Sequence, residues 1–135
     1  MNDDSVVWDD AYSVGFEAID SQHKTLVTMI NELFESCRKG SAVADVDFLR
    51  MVSKAAEYAR NHFSEEVKYM QLAAYPNLNE HRKLHDDFVA TVSKTLQDAK
   101  SGNAVPIEMA RFLKQWLLNH IAVADKQYAP YLAKL

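Results

Sequence analysis

Five histidines and two acidic residues in this chain stand at spacings that could hold metal. His23 is alone; "HFSEE" sets His62 four residues before Glu66, "HRKLH" sets His81 four before His85, and "HIAVAD" sets His120 five before Asp125. On a helix, positions four apart lie one above the other on the same face. Imidazole nitrogen and carboxylate oxygen together are transition-metal ligands, whereas either group buried without a partner is costly. Taken singly, each histidine reads as a hydrogen-bonded core residue, Glu66 as a half-buried helix edge and Asp125 as a solvated helix end. The set is decided by the elements that carry it.

Three glycines and three prolines punctuate the chain. Between them the apolar residues recur with helical periodicity. Segment A runs over 17–39, with Leu26, Val27, Ile30, Leu33, Phe34 and Cys37 on one stripe. Segment B covers 46–73 with Phe48, Val52, Ala55 and Ala59, and segment C covers 77–100 with Leu84, Phe88, Val92 and Leu96. Segment D covers 106–124 with Ala110, Leu113, Trp116 and Leu117, and Pro106 suits a first helical turn. The tail "KQYAPYLAKL" predicts a short terminal helix interrupted by Pro130. Four long helices with short connections predict an all-α, antiparallel up-down-up-down four-helix bundle with an N-terminal arm. The whole chain, 1–135, reads as a single domain: arm 1–16, bundle 17–124, tail 125–135.

Composition removes several function classes. The net charge of −4, with no extended Lys/Arg cluster, argues against nucleic acid. No apolar run reaches the roughly 18 residues of a membrane span, and "MNDDSVVWDD" is acidic where a secretory signal would be basic. The single cysteine, Cys37, excludes an internal disulfide, and the chain reads as cytoplasmic. Cys37, Met29, Met51 and Met70 read as packing residues. No long exposed apolar stripe remains, which predicts a monomer.

On this frame all five histidines fall on inward stripes. His23 extends the stripe of segment A, and His62 follows Ala59 by three. His81 and His85 share the stripe of Leu84, Phe88 and Val92, and His120 is seven after Leu113. Glu66 lies one turn after His62. Seven such groups in one core would be a liability without metal and form a coordination shell with it. A tetrahedral zinc site uses four ligands, so the surplus of nitrogen and carboxylate oxygen favours iron or manganese in higher coordination. Two six-coordinate ions sharing both carboxylates and one solvent-derived oxygen would leave a single open position.

The pattern resembles the hemerythrin family, whose ligand set is a lone His on the first helix, HxxxE on the second, HxxxH on the third and HxxxxD on the fourth. Every position is present here. "VGFEAIDSQHKTL", with Trp8 in the preceding arm, "HFSEEVKYMQLAAYPNLNEHRKLHDDF" and "WLLNHIAVAD" are similar to the family's flanking segments. The likeness spans roughly residues 8–130 and points to the prokaryotic single-domain branch, the bacteriohemerythrins.

The resemblance implies reversible dioxygen binding at a non-haem di-iron centre, for storage, transport, delivery or sensing. His81, His85 and His120 would hold one iron and His23 and His62 the other. Glu66, Asp125 and an oxo or hydroxo group would bridge them, and the pair would shuttle between Fe2+ and Fe3+. Leu26, Phe63, Leu117 and Ile121 are expected to line the gas pocket. No inward acid stands out as a proton donor, and the carboxylate-rich Glu-x-x-His sets of di-iron oxidases are absent. The chain is therefore read as a binding protein without catalytic residues, serving an unidentified oxygen-accepting protein. The alternatives are a di-iron oxidase, peroxidase or nitric-oxide-handling enzyme, and iron storage. One spacing conflicts with regular geometry: five residues at about 100° rotate Asp125 roughly 140° from His120. A bridging Asp125 requires a π-type widening, or a helix that ends before it.

Overall fold

The computed structural model of the protein describes residues 4–39, 45–102 and 105–135. Helix α1 spans Glu17–Lys39, α2 Val46–Leu72, α3 Leu78–Ala99 and α4 Pro106–Asn119. The last helix then widens into a π-helical turn over His120–Asp125 and resumes as α5, Lys126–Leu132. Helix α1 packs against α2 and α4, and α2 packs against α3. With short connections this is the expected up-down-up-down bundle, and no strand occurs among the described residues.

The boundaries have local causes. The Asp45 carboxylate accepts the Phe48 N–H at 2.8 Å and caps α2. Pro106 opens α4, where a missing N–H costs nothing. Ahead of α1, the Asp20 carboxylate accepts the Val14 N–H at 2.8 Å and the Ser13 hydroxyl. That closes a turn in which Gly15 takes a φ of +73°, a region side chains avoid. The arm before it is strapped down by Asn31, which accepts from Val6 N at 2.7 Å and donates to Val6 O at 2.8 Å. Asp4 pairs with Arg111 of α4 at 3.0 Å.

The core falls into two apolar bodies. One gathers Leu26, Ile30 and Phe34 of α1 with Val52 and Phe63 of α2, Phe88 of α3, and Leu113 and Leu117 of α4. The other gathers Val14, Ile19, Met70, Tyr75, Tyr128 and Leu132. Along α1 the first ligand candidate, His23, lies between Ile19 of one body and Leu26 of the other. On α2, His62 and Glu66 lie ahead of Met70. The polar cluster thus forms the waist between two dry halves.

Two expectations fail. Leu84 is 42% exposed rather than on the buried stripe of α3. The inward line is His81, His85, Phe88 and Val92, and Leu84, about 100° from its neighbour His85, turns instead toward Trp116 and Val123. Pro130 lies inside α5 without interrupting it. An interior proline costs about 3 kcal/mol. Tyr128 and Leu132 on either side are fully buried, and two such side chains contribute roughly 3–6 kcal/mol.

Candidate metal centre

All seven histidine and carboxylate groups picked out by spacing converge at the waist, each no more than 6% exposed. The regular helices α1, α2 and α3 aim His23, His62 with Glu66, and His81 with His85 inward. The fourth contribution needs the π-helical turn: by inserting one residue per turn it brings His120 and Asp125 toward one face, as the five-residue spacing requires.

The two carboxylates divide their oxygens between two sets of imidazoles. Glu66 Oε1 lies 3.1 Å from His85 Nε2 and 3.8 Å from His81 Nε2. Its Oε2 lies 3.3 Å from His62 Nε2 and 3.6 Å from His23 Nε2. Asp125 Oδ1 is 3.1 Å from both His81 Nε2 and His120 Nε2, and Oδ2 is 3.1 Å from His23 Nε2. Two ligand groups result, Glu66 with His81, His85 and His120, and Glu66 and Asp125 with His23 and His62.

These residues fit a pair of metal ions. Although the atoms are close, His23 Nε2, His81 Nε2, Glu66 Oε1 and both Asp125 oxygens have no hydrogen-bond partner while fully buried. Unsatisfied buried polar atoms are rare, and a cluster of them facing one another calls for a shared cation. The spacing agrees: ligands roughly 2.1 Å from a transition ion and at right angles are about 3 Å apart. His85 Nε2 and His120 Nε2, at 3.2 Å, have that separation.

The electrostatics make the same demand. Burial pushes the His23 and His81 imidazoles down, but the Asp125 and Glu66 carboxylates outweigh it and raise both to about 9. Burial also opposes ionisation of the two carboxyls, yet the surrounding imidazoles hold Glu66 well below, and Asp125 below, the usual carboxylate range. His85, buried and beside His81 and His120, is pushed down. Without metal, protons on His23 and His81 supply the positive charge that the carboxylates require.

Two partners escaped sequence reasoning. Tyr128, fully buried on α5, donates its hydroxyl to Glu66 Oε2 at 2.6 Å. Burial and the adjoining carboxylates push this phenol well above its ordinary value, so it stays a donor. Its position three after Asp125 on the same face was the available signal. Gln22 Oε1 lies 2.6 Å from His62 Nδ1. An amide oxygen only accepts, so Nδ1 carries the proton and Nε2 turns its lone pair to the cluster. The adjacent pair "QH" gave no hint of that contact, because it depends on where α2 packs.

Of the expected pocket residues, Leu26, Phe63 and Leu117 line an apolar cavity of about 20 Å³, with Ile30, Ala59 and Trp116 among the other walls. Ile121 is fully buried in the same core but is not part of that lining. Leu26 is one turn beyond His23, and Ala59 and Phe63 flank His62.

Fold and site together define a helical-bundle protein with a buried histidine–carboxylate waist shaped for two metal ions. The hemerythrin HHE cation binding domain matches residues 14–132, and the chain belongs to the hemerythrin family. A bacteriohemerythrin of Pseudomonas aeruginosa is 33% identical over 125 residues, covering 91% of this chain and 78% of its own. A myohemerythrin of Riftia pachyptila is 32% identical, over 90% of this chain and 89% of its own. A crystal structure of wild-type hemerythrin superposes with a TM-score of 0.85 at 28% identity, covering 95% and 98% of the two chains. Membership implies di-iron binding.

Proposed function

We propose that this protein binds dioxygen reversibly at a non-haem di-iron centre. The observation that carries the reading is the division of each buried carboxylate between two imidazole sets, which suits a bridged pair of ions rather than a single one. His81, His85 and His120 would hold one iron and His23 and His62 the other, with Glu66 and Asp125 shared between them. Iron bound there would supply the electrons that dioxygen needs and a place for it to bind, passing between Fe2+ and Fe3+.

The rest of the work falls to this chain's side chains. Tyr128 fixes one oxygen of Glu66, and Gln22 fixes the ring of His62. Leu26, Phe63, Leu117 and Ile121 keep water out. The adjoining cavity is large enough for about one water but offers it no polar partners, so it favours a small apolar gas. A dry wall without a mobile acid suits binding and release better than cleavage of the O–O bond, which supports a carrier over an oxidase, peroxidase or nitric-oxide-handling enzyme. Iron storage is not favoured, because the cluster has ligands for two ions and the surrounding core is apolar.

No helix among the described residues is long and apolar enough to cross a membrane. We take the protein to be a cytoplasmic monomer of one domain that passes oxygen to a separate acceptor protein. The test is to load the metal-free chain with ferrous iron anaerobically, admit oxygen, withdraw it and follow the visible spectrum. Repeated reversal, with two irons per chain, is the expected result. Prompt conversion to a diferric form with stoichiometric peroxide release points to the oxidase reading instead.

A further inference from the structure

The face built by α2 and α3 carries a groove of about 760 Å³ whose lining includes Arg60, Lys68 and Arg82. Its floor is apolar, made by Phe63, Val67 and Val89. His85 reaches that floor from below, with its ring stacked on Phe63 at 3.8 Å between centroids and 8° between planes. Here a side chain of the buried cluster lines a groove that opens to the surface.

The charges at the rim stand apart from the ion pairs of the fold. Among the described residues, lysine or arginine meets carboxylate in the pairs Arg38–Glu35, Arg50–Asp47 and Arg111–Asp4. Arg60, Lys68 and Arg82 take part in none of these. Against them the lining holds one acid, Asp86, so the groove is positive on a chain whose net charge is −4. Arg60 and Lys68, eight residues apart on α2, spread this charge over about 12 Å. The groove is open along its length, so it does not enclose a small ligand as binding pockets do. A protein surface is the occupant that can cover it. Electron-transfer encounters need only a small patch, under roughly 1,200 Å², and complementary charge to orient the partner.

We propose that the α2–α3 groove docks an acidic one-electron donor protein, with Phe63 and His85 as the route from the interface to the metal centre. The inference rests on the di-iron reading. Each encounter oxidises the donor by one electron and reduces one Fe3+ to Fe2+. Two encounters would restore the diferrous pair, with any proton that the site takes up on reduction coming from solvent and no group passing between the two proteins. Steering by such a patch raises association rates by roughly 10- to 1,000-fold, and the gain falls with salt.

The test mixes the oxidised, iron-loaded protein anaerobically with a reduced acidic [2Fe–2S] ferredoxin over a series of salt concentrations. A parallel NMR titration with oxidised ferredoxin maps the contact face. The groove variant Arg60→Glu/Lys68→Glu/Arg82→Glu is compared with Lys54→Glu/Lys94→Glu/Lys134→Glu, which changes three lysines elsewhere and shifts the net charge equally. The groove variant should be reduced at least about 10-fold more slowly at low salt and lose most of its salt dependence. The control should keep most of its rate, and both should keep native iron content, oxygen spectra and thermal midpoints. Equal slowing in both variants, a native rate indifferent to salt, or shifts mapped to another face overturns the proposal. So does a groove that responds to a small organic anion or to self-association but not to ferredoxin. A chain that fails to take up two irons refutes the underlying di-iron reading, and that failure appears in metal content, apart from the contact map.

Discussion

Replacing Tyr128 with phenylalanine removes one hydroxyl and leaves the ring that packs against Ile19, Met70 and Tyr75. The lost contact is a 2.6 Å hydrogen bond to Glu66 Oε2, made where both side chains are inaccessible to water. A hydrogen bond to a charged acceptor contributes about 1.5–3 kcal/mol, and no solvent can replace this one. Glu66 is also a shared ligand, so the lost restraint falls on the orientation of the carboxylate toward both ions. At about 1.4 kcal/mol per tenfold, Tyr128→Phe should weaken ferrous iron binding by roughly 10- to 100-fold, the usual range for an outer partner of a metal ligand. The assay is anaerobic competition with a chelator of known affinity, paired with thermal unfolding of the metal-free form. An iron affinity within about twofold of native, in a folded variant, refutes the idea that this hydroxyl holds the bridge.

Asp125→Ala removes a ligand rather than its support, so iron retention should fall beyond the roughly 100-fold upper end expected for an outer partner; chelator competition on folded protein measures it. Leu117→Ala enlarges the apolar cavity, costs about 2–5 kcal/mol of stability and should speed autoxidation, so an unchanged rate in that variant removes Leu117 from the water barrier. For the metal-free protein, folded values of about 9 for His23 and His81 lie above their ordinary 6.5. The stability these pairs confer is therefore full below about pH 6.5 and lost as pH rises through 9. Glu66 and Asp125, both depressed, contribute in the opposite sense and lose their share on acidification. Urea unfolding of chelator-treated protein from pH 5 to about 10 should give a falling alkaline limb that iron-loaded protein lacks.

Most of the bundle was legible because its helices are amphipathic and sharply punctuated. Segment A coincides with α1, and segments B and C differ from α2 and α3 by only a residue or so at their ends. The seven cluster residues were legible because so many buried imidazoles and carboxylates are tolerable only around a cation, and the five-residue gap required either a widened turn or an end to the helix, of which the structure has the first. Local pattern could not settle contacts made between elements. Tyr128 on α5 and Gln22 on α1 acquire their partners only when α2 packs beside them. Leu84 was misjudged because a histidine replaced leucine on the inward line, shifting the buried stripe by one position. Pro130 suggested an interruption by its local cost, which the burial of its neighbours offsets.

The π-helical turn also settles a matter of phase along the final helix. From Leu113 through Leu117, Ile121, Asp125 and Tyr128 to Leu132, the buried positions take five steps across 19 residues. Five regular turns use about 18, so the turn at His120–Asp125 absorbs one surplus residue. Both apolar bodies are therefore read by a single helix whose two parts keep different registers. Deleting one residue between Ile121 and Ala124 would restore an even pitch and rotate the downstream part by about 100°. Tyr128 and Leu132 would then turn away from the core beyond the waist as Asp125 left the cluster. The metal ligand and the seal beneath it are locked to the same offset, and neither can be moved without the other.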